Sequence, residues 1–225
     1  MINIKNLNFK YANSDFNLLI EKFDVKEGEK VAVIGSSGSG KTTLLNLISG
    51  ILPTVNGEIK VGTSIVNKLN DHQRRNFRIS NIGFIFQDFE LLDYLTVFDN
   101  ILHPYRITGA LRLNASVKER ATDLALQMGI GDKLKRKPAE LSQGEQQRVA
   151  ICRALLTQPK LLLADEATGN LDPENKTKIL DLLFKSVAME KATLLAVTHD
   201  HELLPKFDRV IDFKEFIKPQ KLQMT

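Results

Sequence analysis

The strongest constraint on this chain is a glycine-rich segment between a predicted strand and a predicted helix. The apolar, β-branched run at residues 30–34 precedes it, and a helical pattern begins at Thr42 and stops at Gly50. The segment itself consists of Gly35, Ser36, Ser37, Gly38, Ser39, Gly40, Lys41 and Thr42. A strand, a glycine loop and a helix in this order form one arm of a parallel α/β sheet, so the sequence predicts an α/β fold.

These eight residues follow the phosphate-binding pattern of a glycine, four residues, a glycine, a lysine and a serine or threonine. Glycines let backbone N–H groups converge on phosphate oxygens without side chains in the way. The helix that starts near Lys41 adds the positive end of its dipole. Lys41 can reach the terminal phosphates, the Thr42 hydroxyl can ligate Mg²⁺, and Thr43 lies beside them. The segment therefore predicts a nucleoside triphosphate site.

Two carboxylates follow another predicted strand. Residues 161–164 are apolar throughout, as expected of a central parallel strand covered on both faces, and Asp165 and Glu166 come directly after them. Ligands of open α/β sheets bind at this edge. We expect Asp165 to hold Mg²⁺ through water and Glu166 to act as the base that activates the attacking water. A solvated acidic turn is the alternative, and the phosphate-binding segment in the same chain favours catalysis.

Composition limits the other functions open to the chain. It has 225 residues, of which 43% are hydrophobic and 26% charged, as in a globular protein with an ample core. The net charge of +4 is too small to indicate nucleic acid binding. The single cysteine, Cys152, fits a reducing compartment and is expected to be buried. No uncharged apolar run approaches the roughly 18 residues of a membrane helix, and the first residues lack a signal-peptide core.

The periodicity along the chain predicts an α/β core interrupted by a helical region. Residues 2–5 and 23–26 alternate as half-buried strands do, and a helix at 173–189 leads into an apolar strand at 194–197. We expect one domain over residues 1–225, with a core of 1–87 and 156–225 and a helical subdomain of 88–155.

The helical region contains the segment that makes a family recognisable. Residues 141–149 read Leu-Ser-Gln-Gly-Glu-Gln-Gln-Arg-Val, which predicts a helix with Ser142 as its N-cap and Glu145 as the partner of Ser142 in a capping box. Residues 141–145 also resemble the LSGGQ signature of the ATP-binding subunits of ABC transporters. Gln143 and Glu145 replace the third-position glycine and the glutamine, while Gly144 is kept.

The resemblance to ABC ATP-binding subunits covers essentially the whole chain. Residues 161–166 match the Walker B segment, and residues 169–172 look like the D-loop, which ends at Asp172. Gln87 resembles the Q-loop glutamine, which the family uses as a Mg²⁺ ligand and link to the helical region. His199 resembles the switch histidine near the γ-phosphate. Tyr11 stands where the family carries an aromatic residue that stacks on adenine.

This resemblance implies a P-loop NTPase (RecA-like) fold, with a parallel-sheet core, an N-terminal antiparallel β subdomain and an inserted α-helical subdomain. It implies ATP and Mg²⁺ as cofactors, with Thr42, Gln87 and Asp165 around the metal and Glu166, Gln87 and His199 in catalysis. It also implies a head-to-tail homodimer in which Ser142 faces the partner's ATP.

Several features allow more than one interpretation. Gln143 and Ala167, which stands where relatives usually have proline, are expected to retune turnover without removing a ligand. The basic segment 133–137 is expected to be a solvated loop, with contact to anionic lipid as the alternative. Residues 89–98 are unusually apolar, and we expect part of them to form a groove for a short helix of a membrane partner.

The resemblance also suggests which branch of the family the chain represents. Lys41 and Ser142 lie only about a hundred residues apart, and no heptads are sustained between them, which argues against DNA-repair and chromosome-maintenance types. A single set of motifs argues against translation types. The phrases at 81–87, 91–97 and 163–172 look like the lipoprotein-release (LolD-type), macrolide-export (MacB-type) and cell-division (FtsE-type) group. We therefore expect an integral membrane permease partner and a peripheral place on the cytoplasmic face of the inner membrane. A soluble iron–sulfur assembly ATPase is the alternative.

Overall fold

The computed structural model describes residues 1–12, 16–167 and 173–216, and its strands form two separate sheets. In chain order the strands are β1 (Ile2–Lys10), β2 (Asn17–Val25), β3 (Lys30–Ile34), β4 (Glu58–Val61), β5 (Ser64–Ile65), β6 (Ile82–Ile85), β7 (Leu161–Asp165), β8 (Thr193–Val197) and β9 (Arg209–Asp212). An antiparallel sheet has the order β2-β1-β4-β5, and a parallel sheet has the order β6-β7-β8-β3-β9. The order of the parallel sheet places β8 between the strands that precede the glycine-rich segment and the acidic pair.

Six α-helices lie around these sheets in the described part of the chain. They are α1 (Lys41–Ile48), α2 (Asp71–Asn81), α3 (Val97–Arg106), α4 (Ala115–Gln127), α5 (Gln143–Leu155) and α6 (Pro173–Met189). Helix α4 begins at the N-cap Asn114, whose side chain accepts a hydrogen bond from the Val117 N–H. Helices α3 and α4 both pack on α5, which also contacts strand β6 of the parallel sheet.

The parallel sheet separates two hydrophobic cores. Alternate residues of β7 and β8 point to opposite faces, as the pleat of a strand requires. Leu162 and Leu194 pack with the apolar faces of α3 to α6 on one side. Leu163 and Leu195 pack with α1 and the antiparallel sheet on the other. Because both faces of these strands are covered, their sequences are apolar throughout, as the sequence analysis expected.

The predicted fold class is confirmed in its parallel core, its antiparallel N-terminal sheet and its inserted helices. The expected strands at residues 2–5 and 23–26 belong to two longer strands, β1 and β2, which pair along most of their length, although β2 ends at Val25. Helix α2 was not anticipated, because none of its residues is fully buried and its sequence is strongly polar. The domain boundaries at residues 87 and 155 stay predictions.

None of the helices in the described residues is both long enough and apolar enough to cross a membrane.

Candidate functional site

The carboxyl ends of neighbouring parallel strands bring the predicted site residues to one edge of the sheet. Strand β3 leads into the glycine-rich segment, β7 ends at Asp165, and β8, which pairs with both, leads to His199. Strand β6 pairs with β7 and is followed by Gln87. This edge is where open α/β sheets bind ligands, so residues far apart in sequence converge there.

The glycine-rich segment ends in a helix N-terminus that is open to a ligand. Gly40 is the N-cap of α1 and has a φ of 102°, a backbone conformation that side chains disfavour. No side chain caps the first N–H groups of α1, so they remain available to phosphate oxygens. The Lys41 side chain is buried and donates hydrogen bonds of 2.8 Å to the carbonyl oxygens of Gly35 and Ser36.

A cavity of about 380 Å³ opens directly over this helix N-terminus. It is lined by Tyr11, Phe16, Ser37, Gly38, Gly40, Lys41, Thr42, Thr43, Gln87 and Glu166. The fold thus brings most of the predicted nucleotide-binding and catalytic residues to a single cavity. Glycines, hydroxyls and one ammonium group on its floor suit a polyphosphate.

Asp165 and Thr42 supply oxygen atoms side by side at the end of β7 and the start of α1. The Thr42 side chain hydrogen-bonds to the Asp165 carboxylate. Burial raises the pKa of Asp165, an effect that the Thr42 hydrogen bond opposes and the nearby Glu166 carboxylate reinforces. Mg²⁺ prefers a few protein oxygens and keeps several water ligands. The hydroxyl of Thr42, the amide oxygen of Gln87 and the Asp165 carboxylate fit such a site, although no cluster of three or more His, Cys, Asp or Glu ligands occurs in the described residues.

Glu166 and His199 contact each other at the rim of the site. The His199 Nδ1 lies 3.3 Å from the Glu166 Oε2, and the Glu166 side chain is 22% exposed. Glu166 has a φ of 46°, in the left-handed region that L-residues seldom adopt, while its backbone N–H donates to the Val197 carbonyl. The backbone therefore turns away from the direction of β7 at Glu166, and the Glu166 side chain lines the cavity. A carboxylate in that position is accessible to a water molecule.

Aromatic side chains form the wall of the cavity beside Thr43. The Tyr11 hydroxyl lies 2.9 Å from the Thr43 Oγ1, and the Tyr11 ring packs edge-on against Phe9 and at a tilt against Phe16. The Phe16 ring also lies so close to Gly40 that a Cβ there would be 2.5 Å from its Cζ. Adenine stacking on Tyr11 stays a prediction. Phe16 was missed by the sequence analysis because no motif marks its position.

The signature residues do not line this cavity. Ser142 and Gln143 are exposed, Gly144 and Glu145 are half-buried, and all four lie at the N-terminus of α5. The predicted capping box is present: the Ser142 Oγ accepts from the Glu145 N–H at 3.3 Å, and the Glu145 Oε2 accepts from the Ser142 N–H at 2.8 Å. These hydrogen bonds to Ser142, with Lys133 nearby, hold the pKa of Glu145 below its usual value in spite of desolvation.

Two further residues of the sequence analysis have different outcomes. Asp172 and the rest of the expected D-loop, residues 169–172, lie outside the described residues. Cys152 is fully buried in α5, and burial raises the pKa of its thiol, which agrees with the structural role expected for it. The roles of the individual site residues stay predictions.

Comparison with known proteins identifies the family. The model of the ABC transporter family matches residues 20–169, most of the chain. A LolD lipoprotein-releasing ATP-binding protein of Hydrogenovibrio crunogenus is 36% identical over 226 residues, covering 98% of this chain and 97% of the relative. The chain belongs to the ABC transporter family.

Two further matches agree. The macrolide export ATP-binding/permease protein MacB of Rhodopirellula baltica is 41% identical over 96% of this chain, which spans only 32% of that longer protein. A solved structure of the ATP-binding cassette MJ0796, a dimer in a post-hydrolysis state bound to ADP and Pi, superposes with a TM-score of 0.85 at 33% identity over 94% of both chains. The present chain is therefore an ATP-binding ATPase, and its predicted resemblance to the LolD and MacB group is confirmed.

Proposed function

We propose that this ATPase uses Mg²⁺, works as a head-to-tail homodimer, and powers an integral membrane partner from the cytoplasmic face. The finer proposal is an exporter or a lipoprotein-release or mechanotransmission complex of the LolD and MacB kind. One observation supports the homodimer. Lys41 and Glu166 line the cavity, while Ser142 lies exposed at the N-terminus of α5 and outside that cavity, as a site shared between two chains requires.

Within one chain, the residues around the cavity divide the work of ATP hydrolysis. The Lys41 ammonium exchanges its two backbone carbonyl acceptors for phosphate oxygens when ATP binds. Thr42 and Gln87, with Asp165 acting through water, would hold Mg²⁺, which would neutralise charge on the phosphates. The Glu166 carboxylate takes the proton of the attacking water, and His199, in contact with Glu166, orients it and reaches towards the terminal phosphate.

The partner copy completes the site with the N-terminus of its α5. Ser142 and the first N–H groups of α5 present a hydroxyl and a positive dipole end, which suit the terminal phosphate. A C2 dimer brings two such helix ends to two cavities, so two ATP molecules are buried between the copies. Hydrolysis cuts the terminal phosphate from ADP, and once that phosphate leaves, the charge that bridges the copies is gone and the dimer opens. The dimer of MJ0796 with ADP and Pi supports this arrangement.

A second cavity supports the membrane partner. It measures about 340 Å³ and has an apolar lining that includes Ile79, Phe84, Phe86 and Ile107. This groove lies between α2 and β6 on one side and α3 and α5 on the other, and Glu90 is the residue of the expected segment 89–98 that lines it. An amphipathic helix of a permease fits an apolar groove of this kind. The names of the LolD and MacB relatives favour such a partner over a soluble assembly system.

The homodimer is tested with a hydrolysis-deficient variant. Glu166→Gln keeps the shape of the side chain but loses the base, so we expect ATP binding with turnover reduced by at least about 100-fold. With ATP and Mg²⁺ this variant should elute as a dimer in size-exclusion chromatography. Glu166→Gln/Ser142→Arg should bind ATP equally well and stay monomeric. Wild-type turnover in Glu166→Gln would contradict the assignment of Glu166 as the base. An unchanged dimer in Glu166→Gln/Ser142→Arg would contradict a site shared between two chains.

The membrane partner is tested by co-purification with the membrane protein encoded next to this chain. Ile107→Asp places a charge in the groove and should abolish recovery of that protein. Leu126→Asp is the matched control, because Leu126 is 62% exposed and Ile107 61%, and Leu126 lies outside the groove. Recovery only with soluble iron–sulfur scaffold proteins, or equal loss in both variants, would contradict the proposal.

A further inference from the structure

The backbone turn that follows Gln87 is held in an unusual conformation. Phe89 and Glu90 are consecutive non-glycine residues with positive φ angles of 62° and 48°. Side chains disfavour this left-handed region, and a pair of such residues persists only when the surroundings hold it in place. The Phe89 side chain is buried, while the chain on either side leads from the nucleotide cavity towards the helical region.

One side chain holds this turn. Arg153, in the last turn of α5, donates from its Nη1 to the Glu90 carbonyl and from its Nη2 to the Phe89 carbonyl. The planar guanidinium matches two neighbouring acceptors, whereas a lysine ammonium supplies only a point charge. Burial lowers the pKa of Arg153 to about 10, with the Glu90 carboxylate acting in the opposite direction. The Arg153 side chain is half-buried, and it lies between the turn and the wall of the groove.

The end of α5 that carries Arg153 is fixed to the core. Strand β6 approaches it so closely that a Cβ on Gly83 would lie 2.4 Å from the Ala154 carbonyl oxygen. The opposite end of the same helix carries Ser142, the signature serine. Arg153 also lines the groove for the membrane partner, together with Glu90. The Arg153 side chain therefore contacts both the groove and the loop that follows Gln87. It belongs to the same helix, α5, whose N-cap is Ser142.

We propose that Arg153 is a positioning residue that holds the Phe89–Glu90 turn and, through it, sets the place of Gln87 in the nucleotide cavity. This inference rests on the proposed function, since Gln87 is assigned there to Mg²⁺. A partner helix in the groove contacts Arg153 and Glu90. Because Gln87 lies only two residues before Phe89, a shift of the turn also moves Gln87. Arg153 itself touches no nucleotide and is not a catalytic residue.

The test compares Arg153→Met with Arg120→Met in the full-length chain. Arg120 is the matched control, because it donates to the Leu155 and Leu156 carbonyls at the same end of α5 and pairs with Glu190, but does not contact the turn. We expect Arg153→Met to lower kcat between about tenfold and 100-fold and to raise the Mg²⁺ concentration at half-maximal rate, with the KM for ATP within about twofold. Arg120→Met should keep kcat and the Mg²⁺ dependence within about twofold. Arg153→Lys should be intermediate.

A double-mutant cycle tests whether the effect passes through Gln87. Adding Arg153→Met to Gln87→Ala should change kcat no further, whereas multiplying effects would overturn the proposal. Equal kcat in Arg153→Met and Arg120→Met would overturn it too. Amide hydrogen exchange gives a readout that does not need turnover: the amides of residues 87–90 should exchange at least about tenfold faster in Arg153→Met and unchanged in Arg120→Met. Wild-type hydrolysis that does not depend on Mg²⁺ would contradict the proposed function instead, while unchanged exchange in both variants would contradict the role of Arg153.

Discussion

Ser142 is assigned two roles, as the cap of its own helix and as a ligand of the partner's nucleotide, and these roles can be separated by substitution. Ser142→Ala removes the Oγ that accepts from the Glu145 N–H at 3.3 Å and donates to the Glu145 Oε2 at 3.0 Å. The hydrogen bond from the Ser142 N–H to the same carboxylate, at 2.8 Å, survives because it belongs to the backbone. Half of the capping box therefore remains in the variant.

The expected loss of stability follows from this partial survival. Loss of an N-cap side chain costs about 0.5–2 kcal/mol, and the lost cap bond at Ser142 is long. We expect Ser142→Ala to lower the free energy of unfolding by about 0.5–1 kcal/mol. Asn114→Ala is the matched control, since it removes the cap of α4, an Oδ1 that accepts from the Val117 N–H at 3.0 Å. It should cost about 1 kcal/mol.

Urea unfolding with an unchanged m-value measures both losses, and steady-state hydrolysis measures the second role. Asn114→Ala should be at least as destabilised as Ser142→Ala, yet only Ser142→Ala should lose turnover, by at least about tenfold, because it removes a donor to the terminal phosphate. If both variants kept wild-type turnover, Ser142 would be a helix cap and nothing more. If both lost turnover equally, instability would explain the result and the composite site would lose its support.

Three other predictions concern buried groups. Asp165→Asn should raise the stability of the nucleotide-free protein, because burial raises the pKa of Asp165 and penalises its charged form. The gain should shrink as the pH falls, because the wild-type carboxyl then becomes neutral in both the folded and the unfolded state. Mg²⁺-dependent hydrolysis should be lost in this variant. Gly83→Ala should lower the free energy of unfolding in urea by about 1–3 kcal/mol, because its Cβ would lie 2.4 Å from the Ala154 carbonyl oxygen. Gly109→Ala is the control and should leave stability unchanged, because a Cβ at Gly109 has no neighbour within 4 Å. Cys152, buried and with a raised pKa, should react with thiol reagents only as the protein unfolds, and fast labelling of native protein would show that α5 opens locally.

Much of the fold follows from local sequence rules. The apolar runs at β7 and β8 are covered on both faces, and such runs are typical of central parallel strands. The glycine-rich segment places Lys41 and Thr42 at a helix start because the pattern fixes both the loop and the helix that follows. The cap at Ser142 was predictable for the same reason, since its partner Glu145 is only three residues away.

The parts that were missed depend on contacts between distant segments. Arg153 looks like an ordinary residue of an amphipathic helix, and nothing in its neighbours reveals that it reaches Phe89 and Glu90, more than sixty residues earlier. Phe213 is another example, because it is fully buried against the positions of Gly35 and Gly40 and supports the phosphate loop from behind. No local pattern encodes which distant side chain fills such a space, so periodicity and motifs could not find either residue.

The two helix N-termini of the proposed site differ in how completely their N–H groups are capped. Helix α1 begins at Gly40 without a side-chain cap, so its first N–H groups are available to a phosphate. Helix α5 is capped by Ser142 and Glu145, so one of its first N–H groups, that of Glu145, already has an acceptor in the free chain. Its cap carries a carboxylate whose charge, partly balanced by Lys133, opposes close approach of another anion. Binding at α5 is therefore the weaker and more easily reversed of the two, which suits a dimer that closes on ATP and opens after hydrolysis.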